Sequence, residues 1–333
     1  MVSGLVPLLL LQIFPEKGSD DPHSEYVKRL EPVWRLLLGL GAIFPTLILL
    51  LRYKMKENAT FANNALRQIK DVPDSTASRR PPQVPFKLIL RYYWRPLLTV
   101  SVVWFLYDFG SYAFGIYGSY IVDAATRSQS ADEGAAPLFT VFCWTSLLLF
   151  LNLPGSLLGA FGSDWLGCQR AMLLGSTVQA VVGCIIAHFF TQLKTNMAAF
   201  VVLYGLFLSC GEFGAGDNVG LLAAKCCATP VRGRCYGVAA AIGKVGAGVG
   251  SWVFPLIVGR SGVGADGGSG DAGMKRAFWI ASAMCLTAGV LGMWGVRRIG
   301  QDMVAEEDER FRKLLEAEGF VFGDGDGDEE AEK

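Results

Sequence analysis

Three side chains in one strongly apolar stretch could together bind a polar solute and carry a proton. Trp104, Asp108 and Tyr112 are spaced four residues apart, so a helix places all three on one face. An ionisable group at the centre of a membrane helix costs at least about 2.5–3.5 kcal/mol unless it faces the protein interior. We therefore expect a polar cavity beside Asp108, whose carboxylate exchanges a coupling proton. The alternative is an aspartate that bonds a neighbouring helix for packing alone.

A single lysine, Lys244, lies in a second apolar stretch in which almost every residue is small. An ammonium group in that setting needs an anionic partner, which is either a carboxylate or a phosphate of the solute. The preceding glycines resemble a nucleotide-binding P-loop only loosely: their spacing is one residue too long, and neither Ser nor Thr follows the lysine. We therefore predict that Lys244 binds an anion and that nucleotide hydrolysis is excluded.

A glycine-rich segment at 211–218 carries three further polar residues, Glu212, Asp217 and Asn218. Glycine weakens a helix, and locally loosened helices near the middle of the membrane are typical of transporter binding sites. We expect Asp217 and Asn218 to contact the solute and Glu212 to be a second proton site. The alternative is a glycine-rich packing face with polar caps.

The elements that position these residues are predicted to be membrane helices. Hydrophobic residues make up 52% of the chain and charged residues only 18%, whereas soluble proteins average about 25% charged. Most apolar segments are near the ~20 residues that cross a ~30 Å hydrocarbon layer, although the first is too short to cross alone. The eight predicted segments are 1–14, 33–51, 97–122, 136–161, 170–190, 197–223, 236–258 and 277–296.

The charged loops predict the orientation of these helices. The segment 52–95 carries ten Lys or Arg against three Asp or Glu, so it is predicted to be cytosolic. The remaining loops alternate consistently, and both termini are predicted to lie in the cytosol. The tail 301–333 is acidic, with thirteen Asp or Glu against four Lys or Arg. Segments 71–85 and the tail beyond 319 are predicted to be unstructured because they bury little apolar surface.

Two glycine pairs, Gly155 with Gly159 and Gly246 with Gly250, have the four-residue spacing that lets membrane helices approach closely. Other site chemistries find little support. The eight cysteines form no CxxC pair, and only two histidines are present, so we expect no metal site and no cofactor. Most of the cysteines fall in apolar segments or predicted cytosolic loops, so we expect no disulfide framework. No nucleophile–base arrangement indicates an enzyme, and no basic stretch with stacking aromatics indicates a nucleic-acid partner.

The turn at 159–170 resembles the cytosolic loop signature of the major facilitator superfamily. Asp164, Gly167 and Arg170 match that signature, whereas Trp165 and Cys168 stand where basic residues are usual. The resemblance implies an all-α membrane fold in which this loop takes part in gating.

A longer resemblance, to the fungal glycerophosphodiester permeases of the phosphate:proton symporter branch, extends from residue 1 to about 298. It implies a complete C-terminal six-helix half at 94–298, preceded by the last two helices of an N-terminal half at 1–52 and a basic cytosolic linker at 53–93. An acidic cytosolic tail at 299–333 follows. The resemblance also implies a phosphate site at Trp104, Asp108, Tyr112 and Lys244. It is carried by the sequences around Asp108 and at 151–155, 211–218 and 228–244.

The expected function is proton-coupled symport of an organophosphate such as glycerophosphoinositol or glycerophosphocholine across the plasma membrane. Two alternatives remain open. One is an inorganic phosphate or sugar transporter of the same fold. The other is a non-transporting, N-terminally truncated remnant, because the resemblance leaves four helices of the family unaccounted for.

Overall fold

The computed structural model describes residues 2–13, 22–53, 84–127, 138–259, 268–296 and 303–318, and this part of the chain is almost entirely helical. A five-residue π-helix, Glu212–Gly216, connects α7 to α8 without a break. The α-helices are α1 Val2–Ile13, α2 Pro22–Tyr53, α3 Phe86–Ile116, α4 Gly118–Arg127, α5 Leu138–Leu166, α6 Cys168–Leu193, α7 Met197–Gly211, α8 Asp217–Lys225, α9 Arg232–Gly259, α10 Gly268–Trp294 and α11 Met303–Ala317.

Seven spans in the described ranges are long and apolar enough to cross a membrane. They correspond to seven of the eight predicted segments, and the remaining one, α1, has only 12 residues. The predicted unstructured segments at 71–85 and beyond 319 lie outside the described residues, apart from Val84 and Pro85. The spans are Glu31–Tyr53, Phe86–Ile116, Phe139–Leu166, Cys168–Leu193, Met197–Lys225, Arg232–Gly259 and Asp271–Trp294.

The predicted boundaries of the third segment, 97–122, were wrong at both ends. Helix α3 begins at Phe86, directly after Pro85. Its first turns contain arginines, which a helix can carry beyond the apolar layer because their long side chains place the charged ends in water. The helix ends at Ile116, and α4 begins after Tyr117, whose hydroxyl donates to the Ser251 carbonyl at 3.1 Å. Apolarity continues across this break, so hydropathy alone does not reveal it.

Helices α3 and α9 pack so closely that glycine is required at their contact. A Cβ atom at Gly246 or Gly250 would overlap the main-chain carbonyl of Phe105 or Phe109. The second pair behaves in the same way, because a Cβ at Gly155 would overlap the backbone of α7 at Ser209. The predicted close approach at both glycine pairs is therefore confirmed.

The two ends of the bundle are held by different contacts. At one end, Lys194 pairs with Asp271 at 2.7 Å, which joins the end of α6 to the first turn of α10. At the other end, Asp308 of α11 accepts hydrogen bonds from the Thr229 backbone N–H at 2.6 Å and from its hydroxyl at 2.7 Å. Phe311 of the same helix is buried against aromatic rings near the start of α3. The sequence predicts only an acidic tail here, because the short stretch of apolar residues in α11 is broken by charges.

We expect Gly250→Ala to destabilise the bundle, because the new methyl group meets a backbone carbonyl that cannot rotate away. Overpacking typically costs about 1–3 kcal/mol. Gly248→Ala is the matched control, since a Cβ at Gly248 meets nothing within 4 Å. This control should be neutral or slightly stabilising because alanine favours helix. Thermal unfolding of the purified protein in detergent measures both effects, and equal midpoints for the two variants would contradict the packing described here.

Candidate functional site

A cavity of about 830 Å³ lies between α3, α9 and the π-helix with α8. Its volume is within the range of about 300–1,000 Å³ that is usual for small-molecule sites. The structure brings together six of the seven side chains predicted to bind the solute or protons. The six predicted residues that line the cavity are Trp104, Asp108, Tyr112, Glu212, Asp217 and Lys244.

The ammonium group of Lys244 is held by two residues of α3. Its Nζ atom lies 3.0 Å from Asp108 Oδ2 and donates to Tyr112 Oη at 2.7 Å. The Asp108 side chain is only 3% exposed, whereas that of Lys244 is 57% exposed. An ammonium group carries three donors, so one of them is left for a solute in the cavity. Of the two predicted kinds of anionic partner for Lys244, the structure shows a carboxylate, that of Asp108.

An aromatic wall stands beside this ion pair. Trp104 and Tyr236 meet edge to face with ring centroids 5.2 Å apart, and both line the cavity. Gly243 must lack a side chain because a Cβ atom there would overlap the Trp104 indole. Sequence reasoning missed Tyr236, although its spacing of eight residues before Lys244 puts it on the same face of α9.

The carboxylates of Glu212 and Asp217 line the side of the cavity formed by the π-helix. The Glu212 carboxylate interacts with the side chains of Tyr107 and Asn152. Asp217 Oδ2 is buried without a hydrogen-bond partner among the described residues. The loosening expected from the glycines takes the form of a π-helix, an element frequent at functional sites.

Asn218 lies outside the cavity, unlike the other predicted residues. It is completely buried, and its Nδ2 group donates to the carbonyls of Phe213 at 3.0 Å and Gly214 at 2.8 Å. Its Oδ1 atom accepts a hydrogen bond from Ser163 at 2.8 Å. These contacts satisfy carbonyls of the wide π turn and connect it to α5. The structure thus gives Asn218 a role in holding the π-helix.

The turn between α5 and α6 contains the three predicted gating residues. Gly167 has a φ of 82°, a left-handed conformation that favours glycine. Asp164 and Arg170 are both exposed near this turn. The neighbouring Gln169 is buried and donates to the carbonyls of Gly292 at 3.3 Å and Val296 at 3.0 Å, which ties the turn to the end of α10. The gating role of these residues stays a prediction.

Replacement of Asn218 distinguishes a structural role from contact with the solute. Asn218→Ala removes the hydrogen bonds from the Asn218 amide to the Phe213 and Gly214 carbonyls and the bond from the Ser163 hydroxyl, which keeps its contact with the Gly159 carbonyl at 2.7 Å. Each lost hydrogen bond costs about 0.5–1.5 kcal/mol. We expect a lower midpoint of thermal unfolding and a larger fall in the maximal transport rate than in affinity for the solute. A selective loss of affinity at unchanged stability would restore the original interpretation of Asn218 as a binding residue.

Comparison with known proteins gives a consistent result. Residues 23–298 match the family described as sugar (and other) transporter.

Within the described ranges, no group of three or more His, Cys, Asp or Glu side chains could hold a metal ion.

Three relatives from Candida albicans cover nearly the whole chain. The major glycerophosphoinositol permease is 36% identical over 98% of this chain, and a glycerophosphodiester transporter is 36% identical over 96%. A glycerophosphocholine permease is 35% identical over 96%. The chain spans only about half of their own lengths, with 56%, 54% and 54% of each relative covered.

The family match covers most of the chain, and the described spans are helices suited to a bilayer. This chain is therefore a multi-pass integral membrane protein that belongs to the sugar (and other) transporter family of the major facilitator superfamily.

Proposed function

We propose that this protein transports a glycerophosphodiester, such as glycerophosphoinositol or glycerophosphocholine, together with protons. The observation that carries the proposal is the ammonium group of Lys244. It is paired with a buried carboxylate yet still faces a cavity inside an apolar bundle. A phosphodiester carries the single negative charge that such a group binds well. The names of the relatives support this choice of solute. The proposed activity is transport, and it makes or breaks no covalent bond.

The ion pair provides a physical route for coupling to protons. A phosphate group that binds Lys244 draws the ammonium away from Asp108, which is almost fully buried. An unpaired buried carboxylate is costly, so proton binding to Asp108 becomes favourable as the solute binds. Proton and phosphodiester therefore bind together, and release of either one favours release of the other. Glu212 is the proposed second proton site, because it lines the same cavity.

The rest of the cavity suits the polar head of the solute. Trp104, Tyr236 and Tyr112 offer aromatic surface, and the Asp217 carboxylate offers acceptors for hydroxyl groups. Aromatic rings that stack on a sugar or polyol ring, with carboxylates that accept from its hydroxyls, would discriminate a glycerophosphodiester from a bare phosphate. Aromatic faces also attract the quaternary ammonium of choline.

The arrangement in the membrane completes the proposal. Positive residues favour a cytosolic location for the end of the bundle that carries α11. Residues 94–298 would then form the six-helix half, 1–52 two helices of the other half, 53–93 a cytosolic linker and 299–333 a cytosolic tail. We propose that both termini are cytosolic, that the membrane is the plasma membrane, and that the turn with Asp164, Gly167 and Arg170 acts in gating.

Substitutions of the ion pair test coupling directly. Asp108→Asn should abolish uptake driven by a pH gradient while exchange of labelled for unlabelled solute continues, because the amide cannot release a proton. Lys244→Gln should weaken both processes, since it removes the cation that binds phosphate. Lys275→Gln, at a lysine of α10 that lies outside the cavity lining, is the control. Uptake of labelled glycerophosphoinositol into proteoliposomes provides the measurement. Retained pH-driven uptake in Asp108→Asn would remove this residue from the mechanism.

Tyr236→Ala tests which solute the cavity accepts. We expect the KM for glycerophosphoinositol to rise about 2- to 12-fold, as for loss of one aromatic contact worth about 0.5–1.5 kcal/mol. Transport of inorganic phosphate, which has no ring to stack, should change little. Competition among glycerophosphodiesters, inorganic phosphate and hexoses provides the readout. Stronger competition by phosphate or by a hexose than by the diesters would favour the alternative transporter of the same fold.

A further inference from the structure

A second cavity, of about 520 Å³, lies at the end of the bundle that carries α11. It is formed by the first turns of α3 and the last residues of α8 and α10, together with α11. It shares no lining residue with the substrate cavity. The side chains that matter for its chemistry are Tyr92, Tyr93, Arg95, Lys225, Trp294 and Glu307.

The charges of this cavity are unbalanced toward the positive. Arg95 and Lys225 both line it, and neither forms an ion pair with any described residue. The lining includes one carboxylate, that of Glu307, which interacts with the Tyr93 hydroxyl. Lys225 is half-buried, so its ammonium has lost part of its hydration, and it forms no ion pair with a carboxylate of the described residues. Such a group favours an anionic ligand.

The surroundings of the cavity are those of a membrane interface. Trp294 lines it and is 74% exposed, and Trp94, beside Arg95, is 50% exposed. The guanidinium of Arg95 lies 5.2 Å from the centroid of the Trp94 ring. Exposed tryptophans next to basic side chains at the ends of membrane helices mark the level of the lipid headgroups. Basic pockets between helices at this level bind anionic lipid headgroups.

We propose that this cavity binds the phosphodiester group of an anionic phospholipid. Arg95 and Lys225 bind the phosphate oxygens, and the tyrosine hydroxyls contact the alcohol of the headgroup. The Glu307 carboxylate lies beside the ligand and repels its negative charge. The same chemistry exists in a free glycerophosphodiester on the cytosolic side, but the exposed indole of Trp294 at the mouth favours the form that carries acyl chains. Glu307 belongs to α11, which is attached through Asp308 and Phe311, so the ligand contacts both the transmembrane helices and this helix.

The test uses the full chain purified in detergent, with phosphatidylinositol as the probe and native mass spectrometry as the readout. The variant Arg95→Gln with Lys225→Gln should weaken phosphatidylinositol binding at least about tenfold, as for loss of charge-assisted hydrogen bonds. Glu307→Gln should tighten binding, because it removes the carboxylate that opposes the ligand. Arg276→Gln is the control, at an exposed arginine that lines neither cavity. Phosphatidylcholine, which has no net charge, should bind more weakly.

A second arm separates the lipid from the soluble diester. In a Lys244→Gln background, which disables the substrate cavity, free glycerophosphoinositol is added as a competitor. Failure to displace phosphatidylinositol supports the lipid, whereas displacement at similar concentrations assigns the cavity to the free diester. Equal binding of phosphatidylinositol by the Arg95 and Lys225 variant, the Glu307 variant and the control would overturn the proposal, as would the absence of any binding. Neither result depends on whether the protein transports a glycerophosphodiester.

Discussion

The ion pair between Lys244 and Asp108 is the interaction on which the site depends. Both groups belong to apolar helices, and either one alone would be costly in a bilayer. The pair satisfies each charge with the other at 3.0 Å while the ammonium remains accessible from the cavity. The pair contributes little net stability, because desolvation of Asp108 offsets the attraction. In the proposed mechanism, an arriving phosphate takes the place of Asp108 beside the ammonium, and a proton neutralises the Asp108 carboxylate.

Close helix packing is what brings the pair together. Lys244 is carried by α9 and Asp108 by α3, and these helices touch through glycines at Gly246 and Gly250. Gly243 gives the Trp104 ring its place directly beside the lysine. Small residues thus do two things on one helix: they allow the backbones to approach, and they leave room for the aromatic wall. The π-helix on the opposite side adds carboxylates whose position is secured by Asn218, which lies outside the cavity.

The end of the bundle near α11 is held by polar contacts instead of by close packing of glycines. There a short amphipathic helix makes the contacts, and its Asp308 accepts hydrogen bonds from Thr229 in the turn that precedes α9. Helix α9 carries the site lysine in its interior, and the turn before it contacts α11. A ligand in the second cavity would act on helices that also form the first cavity, the proposed substrate site.

Apolar segments of the length of a bilayer, and isolated charges within them, are local properties, so the sequence by itself determined the membrane fold and most of the site. Asp108 and its aromatic neighbours Trp104 and Tyr112 were identified from their spacing, and Lys244 as a lone charge in an apolar stretch. The glycine pairs were identified as close contacts. Three features needed the tertiary structure: the partner of Lys244, the inclusion of Tyr236 in the cavity and the exclusion of Asn218 from it. The physical reason is that a contact between two residues 136 positions apart in the sequence depends on how their helices are rotated against each other. That rotation is decided by many packing contacts, which no single stretch of residues records.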